Sequence, residues 1–157
     1  MSIFKHIGKY CNIEQHYRRA IEKVLRTKTK SEEIEMSVDK KMEECLEIDG
    51  ALAAALVDSS SGMAVATAGN PRGLDLNVAA AGNTAVMKAK EKTMKELSIK
   101  DSIEDVLITL TSQYHMIRPL TDASGKGLFI YLVLDKEKAN LAMARFKLSQ
   151  IEKSVTV

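Results

Sequence analysis

His6, Cys11 and His16 are the first residues in the chain whose types could hold a metal, and their spacing argues against it. Steps of five advance each side chain about 140° around a helix, so the three scatter around its axis, whereas ligands on one helix prefer neighbours three or four apart. Asp58-Ser59-Ser60-Ser61-Gly62 sets hydroxyls beside a carboxylate, but it lacks the glycine two residues before a serine that builds the strained elbow of a hydrolase. A turn is the expectation there. Ser124-Gly125-Lys126-Gly127 carries the Gly-Lys of a phosphate loop, yet Gly127 stands where Ser or Thr should follow and Leu120 occupies the first glycine position. It reads as a hairpin loop. His115 alternates with Tyr114 and Met116, with no acidic or thiol partner assigned, and reads as a hydrogen-bonded or surface residue of a strand. Arg72, in a Gly-flanked loop, and Lys88 and Lys95 beyond it are candidates for a surface that meets an acidic partner, although solvent is the simpler neighbour for Arg72. No catalytic, metal or cofactor site is assigned, and the expectation is a protein that is not an enzyme.

The pattern that demands an explanation is one of packing. In Ile48 to Leu97 two short Ala-rich apolar runs, turned at Ser60-Ser61-Gly62, lead into a helix that is apolar on too many sides. Leu74, Val78, Ala81, Ala85 and Ala89 share one stripe of that helix. Leu76, Ala79, Val86, Met87, Met94 and Leu97 share a second, broader one, with a polar strip at Asn77, Thr84, Lys88, Glu91 and Lys95. One stripe can lie on a sheet, and the other needs cover. Because the first is almost all small residues, two copies of the helix could approach closely, so a homodimer is the economical reading. A further helix of the same chain is the alternative cover, and alanine also simply favours helix.

Composition sets the bounds. At 157 residues and 45% apolar, the chain is of single-domain size with enough material for a core. The net charge of +2 hides an asymmetry: residues 1–30 carry eight Lys/Arg against Glu14 and Glu22, leaving fifteen basic against nineteen acidic residues in 31–157. Two cysteines, Cys11 and Cys45, are no disulfide framework, no secretory apolar region is visible, and the longest apolar run, Ala51 to Val57, is far short of a membrane span. A cytoplasmic, soluble protein is expected. Residues 1–30 read as a basic helical extension, with Ile3, Ile7, Tyr10, Tyr17, Ile21 and Val24 recurring at helical spacings among Arg18, Arg19, Lys23 and Arg26. Docking of that stripe on protein is the first expectation, an anionic membrane surface the second, and nucleic acid, for want of aromatics, the last.

The elements follow from period and punctuation. Thr27 to Lys30 reads as a polar linker, and Ser31 or Ser37 as the cap of a second helix with Ile34, Val38, Met42, Cys45 and Leu46 on one face, ending near Asp49-Gly50. Strands follow at about 51–58 and 63–68, then the long helix. Three more strands are predicted at 105–111, 114–120 and 128–134, the last apolar on both faces as a central strand should be. A helix over about 136–154 closes the chain. The fold class is α+β, in the order helix, two strands, helix, three strands, helix.

That order, with Ile48-Asp49-Gly50-Ala51 leading a strand, Val57-Asp58 and Ser60-Ser61-Gly62 at the hairpin, the Ala-rich helix, and Leu128-Phe129-Ile130-Tyr131-Leu132-Val133-Leu134-Asp135 before the last helix, resembles the roadblock family of dynein-light-chain type modules over residues 38–153. The resemblance implies a five-stranded antiparallel sheet with the long second helix on one face and the terminal helices on the other. It implies a homodimer joined through third strands and second helices, here Val78, Ala81, Gly82, Ala85 and Ala89 with Val106, Ile108 and Leu110. Bacterial members include regulators of Ras-like small GTPases, so the resemblance implies a non-enzymatic regulator or scaffold that stabilises the competent form of such a GTPase. A structural adaptor of a motility, polarity or signalling complex and a small-ligand sensor are the alternatives. Residues 1–30 match nothing in the family core.

Overall fold

The computed structural model of the chain describes residues 4–155, with the side chains of residues 19, 21–123 and 125–155. It divides into two compact units, Met1–Glu35 and Met36–Val157. Helix α1, Phe4–Cys45, runs through the boundary without a break. The linker expected at Thr27 to Lys30 is therefore helical, and neither Ser31 nor Ser37 caps anything. The reason is local: no Gly or Pro occurs between Gly8 and Gly50, and the hydroxyls of Thr27 and Thr29 turn back onto the helix, donating to the carbonyls of Lys23 at 2.8 Å and Leu25 at 2.9 Å.

The second unit is built on five strands, β1 (Ala51–Asp58), β2 (Ala64–Ala68), β3 (Val106–Thr109), β4 (Gln113–Pro119) and β5 (Leu128–Asp135). Their order across the sheet is β2-β1-β5-β4-β3, antiparallel throughout. The strand that is apolar on both faces, β5, is the central one, and Pro119 ends β4, where its missing N–H costs no ladder bond. The β1–β2 turn depends on Asp58, whose carboxylate accepts from the hydroxyls of Ser60 and Ser61 and from their backbone N–H groups, with Gly62 at φ +76° closing it. Those bonds, the Ser61 hydroxyl first, hold the Asp58 carboxyl well below the usual range.

Alternation along the strands sorts the core into two layers. Ala53, Ala55 and Val57 of β1, Ile117 of β4 and Phe129, Tyr131 and Val133 of β5 meet Leu76, Ala80 and Met87 of helix α2 (Leu76–Glu96). The alternate residues Ala54, Leu56, Met116, Ile130, Leu132 and Leu134 are equally buried on the opposite face. There the end of α1, through Val38, Met42 and Cys45, and helix α3 (Leu141–Ser154), through Ala144, Leu148 and Ile151, supply the buried apolar side chains. Each buried Val, Leu, Ile or Met side chain among them contributes about 1.5–3 kcal/mol. Burial, with the adjacent Glu44 charge, pushes the Cys45 thiol up to about 12.

Helix α3 begins five residues later than the expected Lys136. Asp135 captures the intervening turn, accepting from the N–H of Glu137 at 2.9 Å through its side chain and of Ala139 at 3.0 Å through its carbonyl, and Asn140 then caps the helix. Gly50, at φ +81°, is the residue over which this turn folds: a Cβ there would lie 2.8 Å from the Ala139 nitrogen.

Candidate protein-docking surface

Asp75 starts α2 by accepting from the N–H groups of Asn77 and Val78. The buried stripe is Leu76, Ala80, Asn83, Thr84 and Met87. Thr84, expected on the polar strip, is buried, its hydroxyl donating to the Ala80 carbonyl at 2.9 Å, while Val86 and Leu97, expected against the sheet, are exposed. Asn83, on the same buried stripe, keeps only 8% of its surface in solvent and interacts with the Tyr131 hydroxyl.

Of the stripe expected to face outward, Leu74 instead precedes the helix and packs against the core, and the rest is exposed. Ala81, Gly82, Ala85 and Ala89 are exposed, and Val78 keeps 69% of its surface in solvent. Gly82 is the most informative of them. A glycine within a helix costs about 1 kcal/mol against alanine, and a Cβ built at Gly82 meets nothing within 4 Å, so no neighbour in the chain requires it.

Coverage of the sheet is uneven. A helix with its side chains is about 10 Å across and strands lie about 4.8 Å apart, so one helix covers two or three strands of five. One face has two helical segments; the other has one helix, α2, which lies mainly on β1 and β2 and also meets Ile117 of β4 and Phe129, Tyr131 and Val133 of β5, with Ile103 packed beside it. On that face Val106 and Ile108 of β3, with Gln113 and His115 of β4, are left half-buried. Strand β3 is also an edge, pairing on one side with β4 only. It is shorter than the expected 105–111: Asp105 precedes it, held by Arg145 in a two-point ion pair of 2.9 Å on each oxygen, and Leu110 lies in the β3–β4 turn, donating its N–H to the Gln113 carbonyl.

Beneath this half-covered face runs a polar chain that sequence reasoning left unpaired. Asn83 bonds Tyr131, the Tyr131 hydroxyl lies 2.8 Å from His115 Nδ1, and His115 Nε2 lies 3.1 Å from Gln113 Oε1. The network assigns the tautomer: Nε2–H donates to the amide oxygen, and Nδ1 accepts the phenol proton. Burial pushes the His115 pKa down and that of Tyr131 up, so both stay neutral around pH 7. The signal available was register, since the antiparallel pairing of β4 with β5 sets Ile117 opposite Tyr131 and places His115 on the same face.

The cationic candidates do not converge. Lys88 Nζ donates to the Ser60 carbonyl at 3.2 Å and pins α2 to the β1–β2 turn, Arg72 is exposed in its loop, and Lys95 lines an open groove of about 1110 Å³ at the far end of α2. That groove also reaches Glu152 of α3, fully buried, whose Oε1 accepts from the Thr121 N–H at 2.6 Å and hydroxyl at 2.7 Å and whose Oε2 stands 3.9 Å from Arg118 Nε. Arg19, Lys23 and Arg26 are exposed on the first unit, and Arg18 lies outside the described side chains. Among the described residues no group of three His, Cys, Asp or Glu side chains is placed to hold a metal ion.

No protein-family model matches the chain, and no curated protein matches it. Solved structures do. The Roadblock/LC7 domain from Streptomyces avermitilis superposes with a TM-score of 0.64 at 15% identity, over 74% of this chain and 92% of that one. Myxococcus xanthus MglB gives 0.61 at 15% identity, over 78% and 84%. The gliding protein MglB of Thermus thermophilus gives 0.63 at 18% identity, over 74% and 83%. The chain has the roadblock fold.

Proposed function

We propose that the protein is a non-enzymatic, cytoplasmic homodimer that regulates or scaffolds a Ras-like small GTPase. The observation that carries the dimer is the missing helix: the sheet face covered by α2 alone leaves β3 and β4 half-buried, beside a helix stripe whose glycine has no use within one chain. A second copy related by a two-fold axis supplies both, because the same small-residue stripe then meets itself and the mate's α2 covers the remaining strands. Edge pairing of β3 with its symmetry mate continues the sheet across the axis. The partner class rests on the family resemblance, whose bacterial members include regulators of such GTPases, and on a fold shared with MglB. The protein acts by binding and stabilising one nucleotide state of the GTPase across the dimer. Light-scattering mass, alone and with Ras-like GTPases loaded with GTP or GDP, tests the reading. A dimer that gains mass with the GTP form supports it, and faster hydrolysis in the mixture adds activation. A dimer indifferent to every GTPase favours the adaptor alternative, and a monomer refutes the assembly.

A further inference from the structure

The surface of the first unit has a composition of its own. Arg19, Lys23, Arg26 and Lys30 follow one another at steps of four, three and four, which keeps them within about 60° of one another on α1. All four are exposed, with one carboxylate, Glu22, among them. On the opposite side Ile21, Val24 and Leu25 keep 56%, 67% and 57% of their surface in solvent, with exposed Lys28 one turn further on, where its long stem can carry the ammonium to the headgroups. The sequence before residue 19 maintains the apolar spacing through Ile7, Tyr10, Ile13 and Tyr17.

We propose that the cationic stripe and apolar side of α1 before Glu35 bind an anionic phospholipid surface, the helix lying in the interface with Ile21, Val24 and Leu25 in the acyl boundary and the cations at the headgroups. Charge complementarity selects this occupant, since a helix with cations on one side and aliphatic residues on the other matches the two layers of a lipid interface. No described helix is long and apolar enough to cross a membrane, so α1 lies on the surface and does not span it. A second α1 as occupant would need an unbroken heptad seam, and the seam through Tyr17, Ile21 and Val24 is interrupted by Lys28, Ser31 and Glu35 before it resumes at Val38, Met42 and Cys45, which the protein's own core already buries. Single-stranded nucleic acid would need stacking rings beside the cations, and Arg19, Lys23, Arg26 and Lys30 have none among residues 19–35; the tyrosines of the segment, Tyr10 and Tyr17, fall at the spacing of the apolar side.

Full-length protein is sedimented with vesicles of phosphatidylcholine, with and without phosphatidylglycerol, over a range of salt. Binding is expected to the anionic vesicles alone and to fall as salt rises. Lys23→Gln with Arg26→Gln is expected to weaken it about thirtyfold, and Ile21→Ser with Leu25→Ser at least about tenfold, with the melt of the second unit unchanged in both. Failure to bind anionic vesicles overturns the proposal. So does binding that both double variants retain, binding insensitive to the apolar pair, or binding of a labelled single-stranded oligonucleotide through the same cations without vesicle binding. Loss of solution mass in the apolar pair, with no vesicle binding in the parent, would assign this face to a second copy and likewise overturn it. None of these readouts requires the GTPase or the α2 dimer.

Discussion

Gly82 is the residue at which the folding of one chain and the assembly of two make opposite demands. Gly82→Leu replaces the poorest ordinary helix former with one of the best, at an exposed position where a Cβ meets nothing within 4 Å, so the isolated chain gains about 0.8 kcal/mol. In the proposed dimer the same side chain would stand between two helices drawn together by Ala81, Ala85 and Ala89, and symmetry would insert it twice. Overpacking costs about 1–3 kcal/mol per site, so the interface loses about 2–6 kcal/mol and Kd rises at least about thirtyfold. Sedimentation over a dilution series gives Kd, and a melt recorded where both proteins are monomeric gives the stability of the chain without the contribution of mass action. The expected result is a higher monomer melting temperature together with a weaker dimer. A dimer whose Kd moves less than threefold would refute the close approach, and a lower monomer melting temperature would show that Gly82 serves the chain's own fold.

Ala85→Glu, on the same stripe, buries two like charges across the axis and should reduce the sedimenting species to monomer while leaving the melt measured at low concentration within about 0.5 kcal/mol of the parent. His115 is held neutral by burial and by the Tyr131 phenol it accepts from, so the unfolded chain takes up a proton before the folded one does. Stability is therefore full above about pH 6.5 and declines as pH falls through the window below it, and a melt series from pH 8 to pH 5 should show a slope that His115→Gln flattens. Glu152→Ala leaves a half-buried Arg118 without its carboxylate and two Thr121 donors without their acceptor, and should cost about 3 kcal/mol by denaturant titration, whereas Glu152→Gln keeps the acceptor for Thr121 and costs less. In a Cys11→Ser background Cys45, buried with its thiol pushed up to about 12, should react with a thiol reagent at pH 8 only as fast as the protein unfolds.

How much the sequence shows depends on which physical term decides each feature. Strand β1 was legible to the residue, and the central place of β5 followed from a run apolar on both faces, because burial on two sides leaves no alternative pattern. The continuity of α1 was not legible from polarity: Thr27 to Lys30 looks like a linker until one notices that nothing in it can break a helix and that threonine can satisfy its hydroxyl within the preceding turn. The start of α3 was misplaced for the converse reason, since Asp135 holds Glu137 and Ala139 in a turn of their own and the helix begins only at the next cap, Asn140.

The α2 surface shows where a single sequence stops short. Val78, Ala81, Ala85 and Ala89 are exposed as the small-residue spacing suggested, with Leu74 drawn into the core, but the inward stripe was drawn through the apolar side chains and missed Asn83 and Thr84. Hydrophobic patterning scores a polar residue as exposed, and it cannot know that a tyrosine nearly fifty residues away offers the Asn83 amide a partner. The resulting rotation turns Val86 and Leu97 outward as well, so the unburied face is larger and more aliphatic than alanines alone would make it. A monomer would leave that face, the half-covered strands and an unpaired β3 edge all in water. One two-fold operation covers the three together, and this shared remedy, more than any one exposed side chain, is the physical case for the dimer.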